Sequence, residues 1–219
     1  MSRVMKGMSA PITWLSLAFL TVGLAVLPTG AGAAGRVDRE GVYNLGAWYQ
    51  YGLIEGNSRY GLDFSSGAGY SLHFRYHTSR SAAFVAYFDN QTFDARGDSL
   101  VDMTMTSAHI GARFFSVPPG GDVLRYLEVT AGFYRPEIRR PNTIEGSSGE
   151  DVCFPAENFM MHAGAGAEIF LASSWAIEFG LHGYGLYGKG LCPREVERGE
   201  GNWSVTGQVV IGLDYFLLR

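Results

Sequence analysis

Polar and apolar side chains alternate along the last part of the chain. From Trp203 to Leu217 every second residue is apolar or glycine, whereas the residues between them include Ser204, Gln208 and Asp214. Alternation over this length predicts a β-strand, because successive side chains of a strand point to opposite faces. The strand has one apolar and one mostly polar face, and the pattern alone leaves open which of them meets water.

Seven further segments show the same alternation, separated by stretches rich in Gly, Pro, Ser and charged residues. The eight predicted strands lie near 42–54, 67–77, 82–93, 102–115, 125–135, 158–171, 175–187 and 203–217. In the fourth strand the apolar residues change from odd positions (Met103, Met105) to even ones (Ile110). If all of them share one face, an extra residue is needed, which predicts a β-bulge near Thr106 and Ser107.

The first 33 residues form a separate unit. Arg3 and Lys6 precede an apolar run over 12–27, and the small residues Ala31-Gly32-Ala33 follow it. This is the layout of a secretory signal peptide, and we expect cleavage near Ala33. The apolar run has roughly 16 residues, which is short for a membrane-spanning helix, although an uncleaved anchor is the alternative. The predicted domains are a signal peptide over 1–33 and one further domain over 34–219.

The connectors between the predicted strands alternate in length. The second, fourth and sixth (HTSRSA, VPPGGDV and ASS) are short, and the other four are longer. Outer-membrane barrels have short periplasmic turns and longer external loops, whereas a soluble sandwich has no reason to sort its loops in this way. The mature chain has no apolar run of about 18 residues, which excludes a helical membrane protein. We therefore predict an all-β fold, an eight-stranded antiparallel transmembrane β-barrel with up-and-down meander order, its apolar face toward lipid.

Composition argues against two other classes of protein. Hydrophobic residues make up 47% of the chain and charged residues 17%, which argues against disorder. The formal net charge is -4 and there is no basic block, so nucleic acid is not a predicted partner. Removal of Arg3 and Lys6 with the signal peptide makes the exported part more acidic.

Three phrases of the mature chain resemble a known family. They are GYSLHFRYHTSRSAAFVAYFD, HAGAGAEIFLASSWAIEFGLHGYGLYG and the closing VVIGLDYFLL. With the signal peptide, they are similar to the small eight-stranded outer-membrane β-barrel proteins of Gram-negative bacteria, the group that includes the OmpA transmembrane domain, OmpX, OmpW and opacity-type proteins. The resemblance implies location in the cell outer membrane and insertion by the barrel-assembly machinery.

Two cysteines, Cys153 and Cys192, lie in the fifth and seventh connectors, both on the predicted external side. An even pair of cysteines in an exported chain indicates a disulfide, because the compartment is oxidising. We expect a bond between them that closes a loop of about 40 residues and stabilises the fold by roughly 3–4 kcal/mol. Two unpaired thiols are the alternative.

The predicted lumen face carries a set of charged side chains: Arg75, Asp89, Arg113, Glu128, Glu168, Glu178 and Asp214. An unpaired charge in a narrow lumen costs several kcal/mol, so we expect a salt-bridge network that plugs the barrel. Antiparallel pairing around the ASS turn places Glu168 opposite Glu178, and such a pair either shares a proton or clamps an arginine. A catalytic acid/base pair is the alternative, but nothing marks a substrate cleft.

Three histidines are also predicted to face the lumen: His73, His162 and His182. His73 and His77 cannot share a metal ion, because four residues of a strand span about 13 Å. His162 and His182 can cluster with Tyr184 on neighbouring strands, and we interpret them as buried side chains with hydrogen-bond partners. Gly164 and Gly166 leave room for lumen aromatics. No metal ion, cofactor or catalytic residue is predicted.

The predicted function is non-enzymatic, with a structural or surface-interaction role, because side chains fill the interior of an eight-stranded barrel. The expected partners are outer-membrane lipid and an extracellular ligand of the external loops. A narrow channel for small or hydrophobic solutes, as in OmpW-type proteins, is the first alternative. A lipid-modifying enzyme is the second, although His182-Gly183-Tyr184 stands where barrel deacylases have a His-x-Ser pair, so the nucleophile is missing.

Overall fold

The structure is a computed structural model, and it describes residues 39–54, 64–95, 98–116, 123–141, 150–153, 158–188 and 202–217. The predicted signal peptide over 1–33 and the predicted disulfide partner Cys192 lie outside these residues. None of the described residues forms a helix with the length and apolar character needed to cross a membrane.

The described residues form nine β-strands, eight long and one short. The strands are β1 (Tyr43–Ile54), β2 (Phe64–His77), β3 (Ala82–Ala95), β4 (Asp98–Ser116), β5 (Val123–Pro141), β6 (Glu150–Cys153), β7 (Asn158–Ala172), β8 (Trp175–Gly188) and β9 (Asn202–Leu217). The eight long strands correspond to the eight predicted ones, and the short strand β6 lies within the predicted fifth connector.

The eight long strands close into a barrel. Each pairs antiparallel with the long strands before and after it in the chain, and β1 pairs with β9, so that Tyr43 lies opposite Leu217. Closure gives every long strand a partner on both sides, which satisfies the backbone hydrogen-bonding groups without water. β6 pairs with the end of β5 that lies away from the short turns and places Cys153 opposite Ile138. The predicted all-β meander barrel is confirmed.

The barrel is apolar outside and polar inside. Leu127 and Phe133 on β5 are 63% and 71% exposed, whereas Arg75 and Glu168 are fully buried in the lumen. Arg125, at one end of the apolar stripe of β5, is exposed on the same outward face. This arrangement is the reverse of a soluble protein and matches a barrel whose outer face contacts lipid, where charges are tolerated near the interfaces.

The predicted β-bulge near Thr106 and Ser107 is wrong. The pairing of β4 with β3 runs through this region without a break, and Ser107 lies opposite Asp89. Met103 and Met105 face the lumen together with Phe93, because the lumen is itself apolar at that end of the barrel. The apolar residues of β4 therefore occupy two faces, and the alternation of the strand never changes phase.

The third connector is shorter than predicted. β3 continues to Ala95 and β4 begins at Asp98, so that residues 96–97 alone separate them. β4 and β5 each have 19 residues, whereas a strand needs about 9–11 to cross a bilayer. Their backbone ladder continues as far as Asp102 opposite Arg139. Both strands extend past the span on the side opposite the short turns, so part of the predicted loop is strand.

Aromatic side chains on the outer face pair with one another at the short-turn end of the barrel. The rings of Trp175 and Tyr215 lie 4.7 Å apart, and those of Tyr43 and Tyr76 lie 4.9 Å apart. Trp and Tyr favour the membrane–water interface, because their rings combine an apolar body with a polar group. These residues would mark one edge of the lipid-facing band.

Candidate functional site in the barrel lumen

Three layers of side chains fill the lumen, stacked from the short-turn end of the barrel to the opposite end. At the short-turn end the layer is apolar and aromatic and includes Val42, Phe115, Leu124, Ala176 and Phe216. The middle layer contains the buried charges and four histidines, His73, His109, His162 and His182. The far layer is apolar and comprises Ile54, Phe93, Met103, Met105, Tyr134, Met160, Tyr184 and Leu186. The charged groups thus lie between two apolar layers.

Glu168 and Glu178 face each other across the β7–β8 pair and clamp Arg75 of β2. The Arg75 guanidinium donates to Glu168 Oε1, to Glu178 Oε2 at 2.5 Å and to Asp214 Oδ1 at 2.6 Å. Of the two arrangements open to this carboxylate pair, the structure therefore has the clamped arginine. Charge-assisted bonds of this kind are the stronger class of hydrogen bond.

Arg113 of β4 binds the same two glutamates and, in addition, Glu128 of β5. Its Nε donates to Glu128 Oε2 at 2.7 Å, and its Nη1 donates to Glu168 Oε1 at 2.9 Å. The guanidinium carbon lies 3.7 Å from the centre of the Tyr126 ring, which adds a cation–π contact. Glu168 is thus shared by both lumen arginines, and the two clamps form one network.

A third cation, Arg39, closes the network at the short-turn end. It precedes β1, and its Nη1 lies 3.5 Å from Glu168 Oε2 while its guanidinium carbon is 4.1 Å from the Phe170 ring centre. Burial is the main influence that lowers the pKa of Arg39 to about 10, so the side chain stays a cation at neutral pH. No pattern in the sequence marks this residue, because it belongs to no strand.

Asp89 stands apart from the two arginines. Its Oδ2 accepts from the Ser107 hydroxyl at 3.0 Å and from His109 Nε2 at 2.7 Å. The other six predicted charged residues, Arg75, Arg113, Glu128, Glu168, Glu178 and Asp214, meet in the arginine network. His109 is not among the predicted lumen residues, although it shares the strand parity of Arg113, which is the signal that could have found it.

The predicted histidine cluster is present in the middle layer. The rings of His162 and His182 are 4.8 Å apart, and the rings of His162 and Tyr184 are 4.5 Å apart. His73 lies on the other side of Trp48, with ring centres 4.7 Å apart, and its Nε2 is 2.6 Å from Asp214 Oδ1. The lumen histidines therefore fall into two groups with different partners.

Glycines make room for the large lumen side chains. A Cβ at Gly166 or Gly180 would collide with the Tyr126 hydroxyl, and a Cβ at Gly212 would collide with the Trp48 ring. Gly164 faces the His182 ring in the same way. Small residues in a narrow barrel thus allow aromatic and imidazole rings to fill the lumen from the opposite wall.

Two solved structures share this fold. The crystal structure of Neisserial surface protein A (NspA) superimposes with a TM-score of 0.54 and 12% identity over 79% of this chain and 96% of that one. The outer membrane protein OprG from Pseudomonas aeruginosa superimposes with a TM-score of 0.54 and 11% identity over 83% of this chain and 98% of that one. The chain has the fold of a small eight-stranded outer-membrane β-barrel. No protein-family model and no curated protein sequence matches it.

Two side-chain groups in this barrel have donor sets that metal ions accept. Among the described residues, Glu128, His162 and His182 form one group, and His73, Glu178 and Asp214 form the other. The second group surrounds the Arg75 guanidinium, which lies 2.6 Å from both His73 Nε2 and Asp214 Oδ1. A metal ion there would have to displace Arg75, so the second group is an arginine site.

Proposed function

We propose that this protein is a non-enzymatic outer-membrane barrel with a plugged lumen and a structural or interaction role at the cell surface. The observation that carries the proposal is the double clamp of Arg75 and Arg113. Carboxylates from β5, β7, β8 and β9 hold the two guanidiniums, and these six side chains are fully or almost fully buried.

The double clamp ties together six of the eight long strands across the lumen. A passage for ions would need water to separate these pairs, and the separation would leave charges uncompensated between two apolar layers. Breaking a buried pair in this way costs about 3–5 kcal/mol. The interior therefore favours a closed barrel and argues against a narrow solute channel.

The long strands β4 and β5 support a role at the surface. Each extends about eight residues beyond the length that a membrane span requires. β6 pairs with β5 at the end away from the short turns and lengthens the sheet there. In small barrels such external elements, and not the filled lumen, are the part that a partner can reach.

The position of His182 and Tyr184 supports a non-enzymatic role. Both side chains are buried in the lumen, so they do not face the lipid that a lipid-modifying enzyme would act on. Tyr184 packs against the His162 ring in place of a serine nucleophile. An ordinary tyrosine hydroxyl without an activating base is a weak nucleophile.

Planar-bilayer conductance of the refolded protein, residues 34–219, tests the plugged lumen. We expect no single-channel steps from wild type, whether the cysteines are oxidised or reduced, because the clamp does not depend on the external loops. Arg75→Ala should produce steps, since it removes the cation that three carboxylates share. Phe93→Ala, which thins only the far apolar layer, serves as the silent control.

Insertion is checked for each variant by the shift in electrophoretic mobility that folded barrels show on heating. Reproducible steps from fully inserted wild-type protein would overturn the plugged lumen and favour the solute channel. A silent wild type with conducting Arg75→Ala would support the proposal.

A further inference from the structure

We propose that the lumen holds a divalent transition-metal ion, with Zn²⁺ the best match, bound by Glu128, His162 and His182. The three residues lie on the adjacent strands β5, β7 and β8. Glu128 Oε1 is 3.5 Å from His162 Nε2 and 3.7 Å from His182 Nε2. Zn²⁺ bonds of about 2.0–2.1 Å set tetrahedral ligand atoms about 3.3 Å apart, so the carboxylate lies within a few tenths of an ångström of this spacing from each imidazole. The three ligand atoms all lie within 4.8 Å of one another. Zn²⁺ would take the place of the Tyr126 hydroxyl, which lies 3.1 Å from His182 Nε2.

The backbone at Gly164 leaves space for these ligands to approach one another. Gly164 pairs with Glu128 on one side and with His182 on the other. A Cβ at Gly164 would lie 3.0 Å from His182 Nε2 and 3.1 Å from Glu128 Cγ. The glycine therefore leaves the space in which the carboxylate and the imidazole approach each other.

Hydrogen bonds determine which nitrogen of His162 carries the proton. Asp89 Oδ2 accepts from His109 Nε2, so Nδ1 of a neutral His109 accepts from the Thr130 hydroxyl, 2.6 Å away. The Thr130 oxygen in turn accepts from His162 Nδ1 at 3.0 Å. His162 Nε2 is left with a lone pair, which is the form of imidazole that binds metals.

Hydrogen bonds to Glu128 Oε2 hold the carboxylate so that Oε1 faces His162 and His182. Oε2 accepts from Arg113 Nε at 2.7 Å and from the Tyr87 hydroxyl at 2.6 Å. Glu128 Oε1 and His162 Nε2 are fully buried and have no hydrogen-bond partner among the described side chains. Two buried acceptors that face each other at 3.5 Å repel unless a cation lies between them.

The charge of the lumen favours a divalent ion. The buried charged side chains among the described residues are five carboxylates (Asp89, Glu128, Glu168, Glu178 and Asp214) and three guanidiniums (Arg39, Arg75 and Arg113). With all five carboxylates ionised and the histidines neutral, these side chains carry two negative charges in excess, which one divalent cation would balance. Two imidazoles and one carboxylate form a known zinc donor set, with the fourth position left to water.

Metal content after refolding tests the site. Untagged protein, residues 34–219, is refolded with and without ZnCl₂, separated from free ion by gel filtration in chelator-treated buffer and analysed by elemental mass spectrometry. We expect one retained Zn²⁺ per chain in wild type. Refolding with Co²⁺ should give the intense visible bands of a four-coordinate ion, a signal that adventitious surface binding does not produce.

Four variants locate the ion. His162→Gln removes a ligand and should abolish retention, whereas His77→Gln changes a buried lumen histidine outside the group and should keep it. Thr130→Val removes the hydrogen bond that orients His162 and should weaken Zn²⁺ binding by about 10–100-fold in competition with a chromophoric chelator. Thr130→Ser keeps the hydroxyl and should bind like wild type.

The electrophoretic shift on heating confirms that each variant is folded. Wild-type protein that retains no Zn²⁺ would overturn the proposal. Equal retention by His162→Gln would also overturn it. Because neither measurement uses conductance, the outcome is independent of whether the lumen is plugged.

Discussion

Single side chains in this lumen have several partners each, and this determines what a substitution does. Arg113 pairs with Glu128, Glu168 and Glu178 and stacks on Tyr126. Its removal would leave carboxylates buried without a counterion, which costs more than the loss of one contact. On the outer face the same residue type behaves differently, because an arginine near the interface keeps its hydration.

We predict that Arg113→Met lowers the free energy of unfolding by about 3–5 kcal/mol, since methionine fills the volume but leaves the carboxylates unpaired. Arg125→Met, at the exposed end of β5, is the matched control and should change it by less than about 1 kcal/mol. Urea titration in phospholipid vesicles, followed by tryptophan fluorescence, measures both values. Equal effects would contradict a structural role for the network.

At the scale of the elements, β4, β5 and β6 differ most from the sequence-based expectation. The sequence predicted a loop where β3 and β4 continue as strands, because charged and glycine-containing stretches such as DARGDSLV are typical of loops. Pairing with a neighbouring strand overrides that local preference. β6 has four residues, too few for an alternation to stand out, and it depends on pairing with the end of β5.

The Cys153–Cys192 disulfide stays a prediction at this scale. Cys153 ends β6, so a bond to Cys192 would tie this strand to the seventh connector. We expect an intact mass lower by two hydrogens than that of the reduced chain. We also expect Cys153→Ser/Cys192→Ser to be less stable by roughly 3–4 kcal/mol, because a closed loop of about 40 residues is released. Free thiols in protein isolated from an oxidising compartment would contradict the bond.

For the whole molecule, the inverted distribution of polarity is the main property. The outer surface is apolar and the lumen charged, so the bilayer takes the place that a hydrophobic core has in a soluble protein. The position along the strand should then determine how much a charge on the outer face lowers the free energy of unfolding. Near the middle of β9, Val209 is 58% exposed, and at its end Leu217 is 42% exposed.

We predict that Val209→Lys lowers the free energy of unfolding in phospholipid vesicles by about 2–4 kcal/mol, and that Leu217→Lys lowers it by at most about 1 kcal/mol. The difference arises because only the first places the ammonium group in the hydrocarbon core. The same urea titration measures both variants. If both substitutions were neutral, the outer face of β9 would be in contact with water.

The sequence by itself determined the period of each strand, the number of long strands and the assignment of seven charged residues to one face, because side-chain alternation is a local property of the backbone. It also predicted that Glu168 faces Glu178, since a short turn fixes the register of its two strands. These features need no knowledge of the distant parts of the chain.

Tertiary structure alone decided what lies across the lumen. That Arg75 and Arg113 share Glu168, that Arg39 closes the short-turn end, and that Met103 packs inside depend on which strands face each other after closure. Glu128, His162 and His182 meet in a different way, through the register of the adjacent strands β5, β7 and β8. Alternation distinguishes inside from outside, but only the closed barrel brings side chains of distant strands within bonding distance.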